Sequence, residues 1–254
     1  MPLRVYLVGR VMVEADGGLV DERQLPGRQG RLVLAMLGWR HNHPVSRDEL
    51  VEALWPDGPP ASWDTALSAV ISKLRQLLTG VGVPGTDTLL NAYGCYELRL
   101  PPDAVVDVDS AHNAVHEAET LLRSGDVHAA YTFADIANLI AGRPFLPGED
   151  GLWITARRAE LAAIQVRALE AQLATRISKG NLEDGLHAAE TLLALEPCRE
   201  SAYRRLIQLH LLSGNRASAL LAYDRCRKTL AEELGVDPCP ETEAVYLEAL
   251  RASI

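Results

Sequence analysis

The sequence predicts a mainly α-helical protein with a small α+β part, an N-terminal winged helix followed by an all-α tetratricopeptide-like helical domain. Three observations support this fold class. Residues 61–78 (ASWDTALSAVISKLRQLL) place apolar side chains at helical spacing, directly after a shorter amphipathic segment. Strand-like runs flank this pair of helices on both sides. From residue 104 onward the periodicity is helical and contains a repeat of 34 residues.

The first predicted elements are the strands of a short antiparallel sheet. Residues 3–14 alternate in polarity and are rich in Val, Leu and Tyr. The Asp-Gly-Gly turn at 16–18 precedes a return strand that starts at 19–20. Residues 29–40 (QGRLVLAMLGWR) then form the first helix, because most of their central side chains are apolar.

A helix-turn-helix is predicted from the segment VSRDELVEALWPD and the helix at 61–78. Ser46 and Glu49 have the spacing of a capping box, and Ser62 is the expected cap of the second helix. No helix can cross the Pro-rich segment at 56–60, which separates the two. An ordinary helical hairpin is the alternative, since few helix pairs bind DNA.

Two short strand-like runs, 88–91 and 95–100, flank an Ala-Tyr-Gly turn and predict a β-hairpin. A helix-turn-helix followed by a hairpin is the order of a winged helix, in which the second helix enters the major groove. The alternative for the hairpin alone is an edge of the sheet. The Pro-Pro pair at 101–102 marks the predicted boundary between a domain at 1–103 and a domain at 104–254.

The second domain is predicted to be entirely helical. Its helices are expected at residues 110–123, 127–141, 153–179, 182–195, 200–213, 216–234 and 241–252. A Gly-Asn pair at 180–181 recurs at 214–215, and Gly185 corresponds to Ala219 at the same offset. A Gly-Asp pair at 125–126 gives a weaker copy. This pattern is typical of tetratricopeptide repeats, which stack helix pairs around a groove. An irregular helical bundle is the alternative.

The net charge of the chain is −9, which is unfavourable for binding nucleic acid. The charge is uneven, since residues 1–100 carry −1 and residues 101–254 carry −8. No apolar run is long enough to span a bilayer, and the first residues lack the apolar core of a signal peptide. We therefore expect a cytoplasmic protein without a membrane partner.

The sequence contains no recognisable catalytic, cofactor or metal motif. Phosphate-binding glycine loops and the G-x-S-x-G motif are absent. The four cysteines are scattered, and His41 and His43 lie in HNHP, which is more typical of a surface turn than of a metal site. We therefore expect neither an enzyme nor a protein with a cofactor or a metal ion.

Five segments carry a family resemblance: GRQGRLVLAMLGWRHNHPVSRDELVEALWPDGPPAS, SKLRQLL, GCYELRL, AGRPFLP and LLSGNRASALLAYDRCRKTLAEELGVDPCPE. They resemble the Streptomyces antibiotic regulatory proteins (SARPs), transcriptional activators with an OmpR-type winged helix and a bacterial transcriptional activation domain. The resemblance covers nearly the whole chain. It implies an activator of a secondary-metabolite gene cluster that binds promoter direct repeats and helps RNA polymerase engage. The acidic helical domain would then contact RNA polymerase or a second protomer.

The candidate DNA-binding residues lie on the second helix, the wing and basic positions nearby: Arg31, Arg47, Thr65, Ser68, Ser72, Lys73, Arg75, Asn91, Tyr93 and Arg99. The chain departs from the family where DNA is read, with Asp64, Thr65 and Ala66 in place of Arg-Asn-Thr or similar residues. Few side chains here suit bidentate base recognition, and we expect about two to four phosphate contacts per monomer. The alternative function is a protein- or ligand-binding helical module with little DNA binding of its own.

The candidate partner-binding residues are polar positions on the repeat helices: Arg176, Tyr203, Arg204, His210, Tyr223 and Arg227. Inner helices of such repeats line a concave surface, so these positions are candidates for the contact with RNA polymerase or a second protomer. Solvated surface charge is the alternative interpretation.

Overall fold

The computed structural model describes residues 2–251, apart from the side chains of Ser178 and Lys179. The chain forms two compact units. The N-terminal unit contains the residues up to 111 together with 140–161, and the helical unit contains 112–139 and the residues from 162 onward. The division therefore falls within helices and not at the Pro-Pro break. That 1–103 and 104–254 fold separately stays a prediction.

The N-terminal unit opens with the predicted antiparallel sheet. Its strands are β1 (Arg4–Tyr6), β2 (Met12–Ala15) and β3 (Gly18–Val20). A fourth strand, β7 (Val105–Val106), pairs parallel to β1 and gives the order β3-β2-β1-β7. Strand β7 was not predicted, because two residues are too few to show an alternating pattern.

The rest of the N-terminal unit confirms the predicted winged helix. Its elements are α1 (Gly27–Trp39), β4 (Val45–Ser46), α2 (Arg47–Leu54), α3 (Trp63–Gly80), the short α4 (Gly85–Thr88), β5 (Leu89–Ala92) and β6 (Cys95–Leu98). Helix α1 forms the core, since its residues 32–37 are each at most 3% exposed. Strands β5 and β6 form the hairpin, and β4 adds a third strand beside β6. The hairpin is the wing.

The two helix caps had different outcomes. The capping box at the start of α2 is confirmed: the Glu49 N–H donates to Ser46 Oγ at 3.1 Å, and the Ser46 N–H donates to Glu49 Oε2 at 2.9 Å. The predicted cap by Ser62 is wrong, because its side chain makes no capping hydrogen bond. Ser62 has φ −96° and ψ 18°, whereas a capping residue typically has extended backbone.

Within the described residues, seven further helices follow: α5 (Asp107–Ser124), α6 (Val127–Ala141), α7 (Leu152–Lys179), α8 (Leu182–Leu195), α9 (Glu200–Leu212), α10 (Arg216–Leu234) and α11 (Pro240–Arg251). Ala252, the predicted end of the last helix, lies outside the described residues. Within residues 2–251, no helix combines the length and the apolar character needed to cross a membrane.

The repeat is confirmed in the backbone of its turns. The glycines of the three copies have left-handed φ angles of 86°, 71° and 71°, at Gly125, Gly180 and Gly214. Each glycine N–H donates to the carbonyl three residues earlier, and the following N–H donates to the carbonyl five residues earlier. A Cβ atom added to Gly185 would lie 2.9 Å from a methyl carbon of Leu209, so the small residue is required where α8 meets α9.

Candidate nucleic-acid interface

Helix α3 is amphipathic, and its outer face carries four of the predicted DNA-binding residues. The buried stripe consists of Leu67, Val70, Ile71, Leu74 and Leu78. Thr65, Ser68, Ser72 and Lys73 are exposed. Among the residues that the structure describes, no side chain forms a hydrogen bond or an ion pair with these four. This face is therefore open to a ligand.

Arg47, the first residue of α2, joins three elements of the winged helix. Its backbone N–H donates to the carbonyl of Gly94 in the turn of the wing at 3.0 Å. Its guanidinium carbon lies 5.4 Å from the ring centroid of Trp63 and 5.9 Å from that of Tyr96. Arg47 thus fixes the start of α3 against the start of α2 and the wing. The contacts of Arg47 with these two aromatic rings were not predicted from the sequence.

Asp64 forms an ion pair with this same Arg47. The carboxylate is more exposed than the guanidinium, with side-chain exposures of 62% and 26%. Asp64 therefore neutralises a basic residue that the sequence assigned to DNA. The buried Nε of Arg47 has no hydrogen-bond acceptor among the described residues. The carboxylate accepts from one terminal nitrogen of the guanidinium, Nη2.

The wing presents two predicted residues at its tip. Tyr93 has a left-handed φ of 53° and a fully exposed side chain, and Asn91 is exposed. Arg99 directly follows β6; it is exposed but pairs with Glu97 of that strand at 3.0 Å. Arg75 is half-buried, and its Nε donates to the carbonyl of Leu89 at 2.9 Å. Arg75 therefore holds α3 against β5 and is a positioning residue.

The structure corrects the assignment of Arg31 to phosphate binding. Its guanidinium contacts Glu149 at 2.6 Å and Glu22 at 3.0 Å, and its side chain is only 19% exposed. Burial opposes its charge, but the hydrogen bonds to the two carboxylates raise the pKa of Arg31. Glu149, itself 4% exposed, also accepts from Arg28 at 2.5 Å. Arg31 therefore links α1 to Glu22 and to Glu149 within the N-terminal unit.

Residues 140–161 complete the N-terminal unit, although they follow the predicted boundary. Phe145 and Trp153 pack edge-on against Trp39 of α1, with ring centroids 5.2 and 6.3 Å away. Arg158 donates to three backbone carbonyls of this segment. This segment begins with AGRPFLP, one of the motifs that carry the family resemblance, and its packing against α1 was not predicted from the sequence.

In the helical unit, three of the predicted partner-binding residues are used internally. Tyr203 is 2% exposed and belongs to the core, so its assignment to a surface is wrong. Arg204 donates to Thr242 Oγ1 at 2.9 Å, and this hydroxyl group is buried. Arg176 pairs with Asp135 at 3.3 Å and is 12% exposed. Neighbouring helices of the stack bring these partners within reach.

The other three predicted residues have different surroundings. His210 lines a shallow depression with Glu190, Leu221 and Arg225, and burial lowers the pKa of its imidazole. Tyr223 is stacked on Tyr246, with ring centroids 4.0 Å apart and an interplanar angle of 10°.

Arg227 is the most exposed of the partner-binding candidates, with 55% of its side chain accessible. It pairs with Asp224 at 3.3 Å, one turn earlier on α10. The accessible candidates in the helical unit are therefore His210, Tyr223 and Arg227.

Both the sequence and the fold of this chain are similar to those of known proteins. Residues 106–250 match the bacterial transcriptional activator domain. Regulatory protein AfsR of Streptomyces coelicolor is 30% identical over 98% of this chain, which spans only 24% of AfsR. Regulatory protein DnrI of Streptomyces peucetius is 29% identical over 98% of this chain and 93% of its own length.

Among solved structures, Mycobacterium tuberculosis EmbR in complex with a low-affinity phosphopeptide has the same fold, with a TM-score of 0.85. The two sequences are 29% identical, and the match covers 98% of this chain and 65% of EmbR. Both units of this chain therefore have counterparts in a known regulator. The chain belongs to the SARP family of transcriptional regulators, with a bacterial transcriptional activator domain over residues 106–250.

Proposed function

We propose that this protein is a transcriptional activator that binds promoter DNA through α3 and the wing. The observation that supports this function best is the open face of α3. Four polar side chains lie there without a hydrogen-bond or ion-pair partner among the described residues, whereas the opposite face is buried. Arg47 fixes the angle between this helix and the wing, and such a fixed geometry is what insertion of a helix into the major groove requires.

The chemistry of the face indicates how DNA would be contacted. Hydroxyl groups of Ser and Thr bind phosphate oxygens and accept or donate at several base edges, so they position the helix more than they discriminate bases. Among the described residues of the open face, Lys73 is the cation. With Lys73 and Arg99 as donors and Arg47 paired with Asp64, we expect about two released counterions per monomer.

The family membership extends the proposal beyond DNA binding. We infer that the chain activates a secondary-metabolite gene cluster from promoter direct repeats and helps recruit RNA polymerase. Most of the excess negative charge, −8 of −9, lies in residues 101–254, outside the winged helix. His210, Tyr223 and Arg227 are the accessible candidates for contact with polymerase or a second protomer.

A helical-repeat module with little DNA binding of its own is the second candidate function. One observation favours it: α3 carries Asp64 where the family resemblance places a basic or amide residue, and this carboxylate neutralises Arg47. The experiment below separates the two functions.

The test is fluorescence anisotropy of the full chain with duplexes from promoters beside its gene and with a scrambled duplex. The variant is Lys73→Ala, and Lys228→Ala, an exposed lysine of α10, is the matched control. We expect Lys73→Ala to weaken binding several-fold and to reduce the slope of log K against log salt by about 0.9. Lys228→Ala should change neither quantity. DNA binding through α3 is refuted if the two variants behave alike or if no duplex binds in a salt-dependent manner.

A further inference from the structure

A cavity of about 360 Å³ opens in the N-terminal unit beside the first helix of the helix-turn-helix. Its apolar wall includes Met36 of α1, Ala53 of α2, and Leu152 and Trp153 at the start of α7. The volume falls within the range of about 300–1,000 Å³ that is usual for small-molecule sites. None of the candidate DNA-binding residues lines it. The cavity is therefore separate from the proposed interface.

The aromatic part of the wall is held in place by its neighbours. Trp153 packs against Phe145 and Trp39, with ring centroids 5.8 and 6.3 Å away. The guanidinium of Arg157 lies 5.4 Å from the centre of the Trp39 ring. The Trp153 ring thus sits on a rigid support and lines the cavity. A fixed indole favours a flat apolar group or a cation as its contact.

The charged side chains of the cavity have an excess of carboxylate. Its only basic residue among the lining side chains, Arg40, donates to Glu49 at 2.6 Å and to the Pro44 carbonyl at 3.2 Å. Glu49 in turn accepts from the backbone N–H of Ser46, and this hydrogen bond holds the pKa of Glu49 below its usual value. These two charges cancel each other within the protein.

One unpaired carboxylate remains at the rim after that cancellation. Glu52 is exposed and forms no ion pair or hydrogen bond within the described part of the chain. Asp150 is fully exposed and forms an ion pair with Arg158 at 3.8 Å. The uncompensated charge at the rim is therefore the carboxylate of Glu52.

We propose that this cavity binds a small organic cation, an amine carried on an aromatic or aliphatic body. The body is buried between the apolar wall and the Trp153 ring, where removal of its surface from water supplies most of the affinity. The ammonium group stays at the rim with the carboxylate of Glu52, and an anion of the same shape is repelled. The proposal does not depend on DNA binding, and its test contains no DNA.

The test uses three indoles of similar shape and different charge: tryptamine, the neutral alcohol tryptophol, and indole-3-acetate. Each is titrated into the 15N-labelled full chain, and the Trp153 indole N–H resonance is identified with Trp153→Phe. We expect tryptamine to shift this resonance in a saturable manner. Tryptophol should bind several-fold more weakly, and indole-3-acetate should not bind.

Two variants localise the site. Glu52→Gln should weaken tryptamine binding about two- to fivefold, which is the effect of an exposed ion pair. Glu117→Gln, an exposed glutamate of α5, should leave binding unchanged. Ala53→Leu fills the cavity from a half-buried position and should abolish the shift, with the amide spectrum reporting that the fold is retained.

The proposal is overturned if no indole shifts Trp153, or if tryptophol binds as tightly as tryptamine. It is also overturned if Glu52→Gln and Glu117→Gln have the same affinity, or if tryptamine still binds to a folded Ala53→Leu variant.

Discussion

Helix α3 and the helices α9–α11 all carry polar side chains at helical spacing. Those of α3 face outward, whereas several of those on α9–α11 make contacts inside the protein. On α3, Ser68 and Lys73 are exposed and make no internal side-chain contact within the described residues. On α9, Tyr203 is buried in the core and Arg204 donates to a buried threonine. The same periodicity thus produces an open surface in one unit and an internal network in the other.

The difference follows from side-chain length and from the neighbours of each helix. Ser and Thr hydroxyls on α3 reach little beyond their own helix. Arg204 reaches Thr242 and Cys239, at and just before the start of α11, because α11 packs directly against α9. Helical spacing identifies a face, whereas the packing of the next element decides whether that face is free.

The largest expected effect on stability is that of Tyr203, and Tyr93 in the N-terminal unit is its exposed counterpart. Tyr203→Ala should destabilise the protein by about 3–5 kcal/mol, as removal of a buried aromatic ring usually does. Tyr93→Ala, at the exposed tip of the wing, should change the stability by less than about 0.5 kcal/mol. Thermal unfolding followed by circular dichroism measures both. Equal melting temperatures for the two variants would contradict the burial of Tyr203.

The second-largest expected effect on stability concerns the internal hydrogen bonds of α9, and two adjacent arginines of that helix test it. Arg204→Met removes the donor to the buried Thr242 hydroxyl and should cost about 1–3 kcal/mol. Arg205→Met is the control, because Arg205 is exposed and its side-chain hydrogen bond among the described residues goes to Gln208, one turn later on α9, at 3.2 Å. Urea unfolding of the two variants compares them directly. If Arg205→Met is the more destabilising change, Arg204 does not act inward.

Asp64 tests whether the open region is restrained by its own carboxylate. Asp64→Asn removes the ion pair with Arg47 and leaves that guanidinium to DNA. DNA affinity should rise a few-fold, and the salt slope should increase in magnitude by about 0.9. Asp57→Asn, in the exposed loop before α3, is the matched control. Anisotropy titrations at several salt concentrations would show no gain over this control if Arg47 does not face phosphate.

The smallest expected effect is a pH dependence within the helical unit. Arg167 donates twice to Glu119, at 2.7 and 2.8 Å, and this pairing lowers the pKa of Glu119. A lowered pKa in the folded state means stability that is present above the ordinary value of 4.5 and lost as the pH falls through the lowered value.

Since both side chains of this pair are more than a third exposed, the contribution should stay below about 1 kcal/mol. Glu119→Gln should therefore be less stable than the unmodified chain at pH 7, and the gap should narrow on acidification. Urea unfolding at pH 7 and at pH 4 measures the gap. A gap that widens at low pH would reverse the assigned sign.

The sequence by itself determined the elements that depend on local chemistry. The capping box of Ser46 and Glu49 and the turn glycines Gly180 and Gly214 were predicted correctly. A capping hydrogen bond spans three residues, and a left-handed turn favours glycine at one position. The winged-helix order and the 34-residue repeat followed from the same short-range patterns.

Tertiary structure decided the partners of the long polar side chains. Arg31 meets Glu149 across 118 residues, so no local pattern revealed that this guanidinium is engaged. The inward direction of Tyr203 depends on which helices stack against α9, and the pairing of Arg47 with Asp64 depends on the angle between α2 and α3. Such contacts are set by packing between distant segments, and helical periodicity carries no information about them.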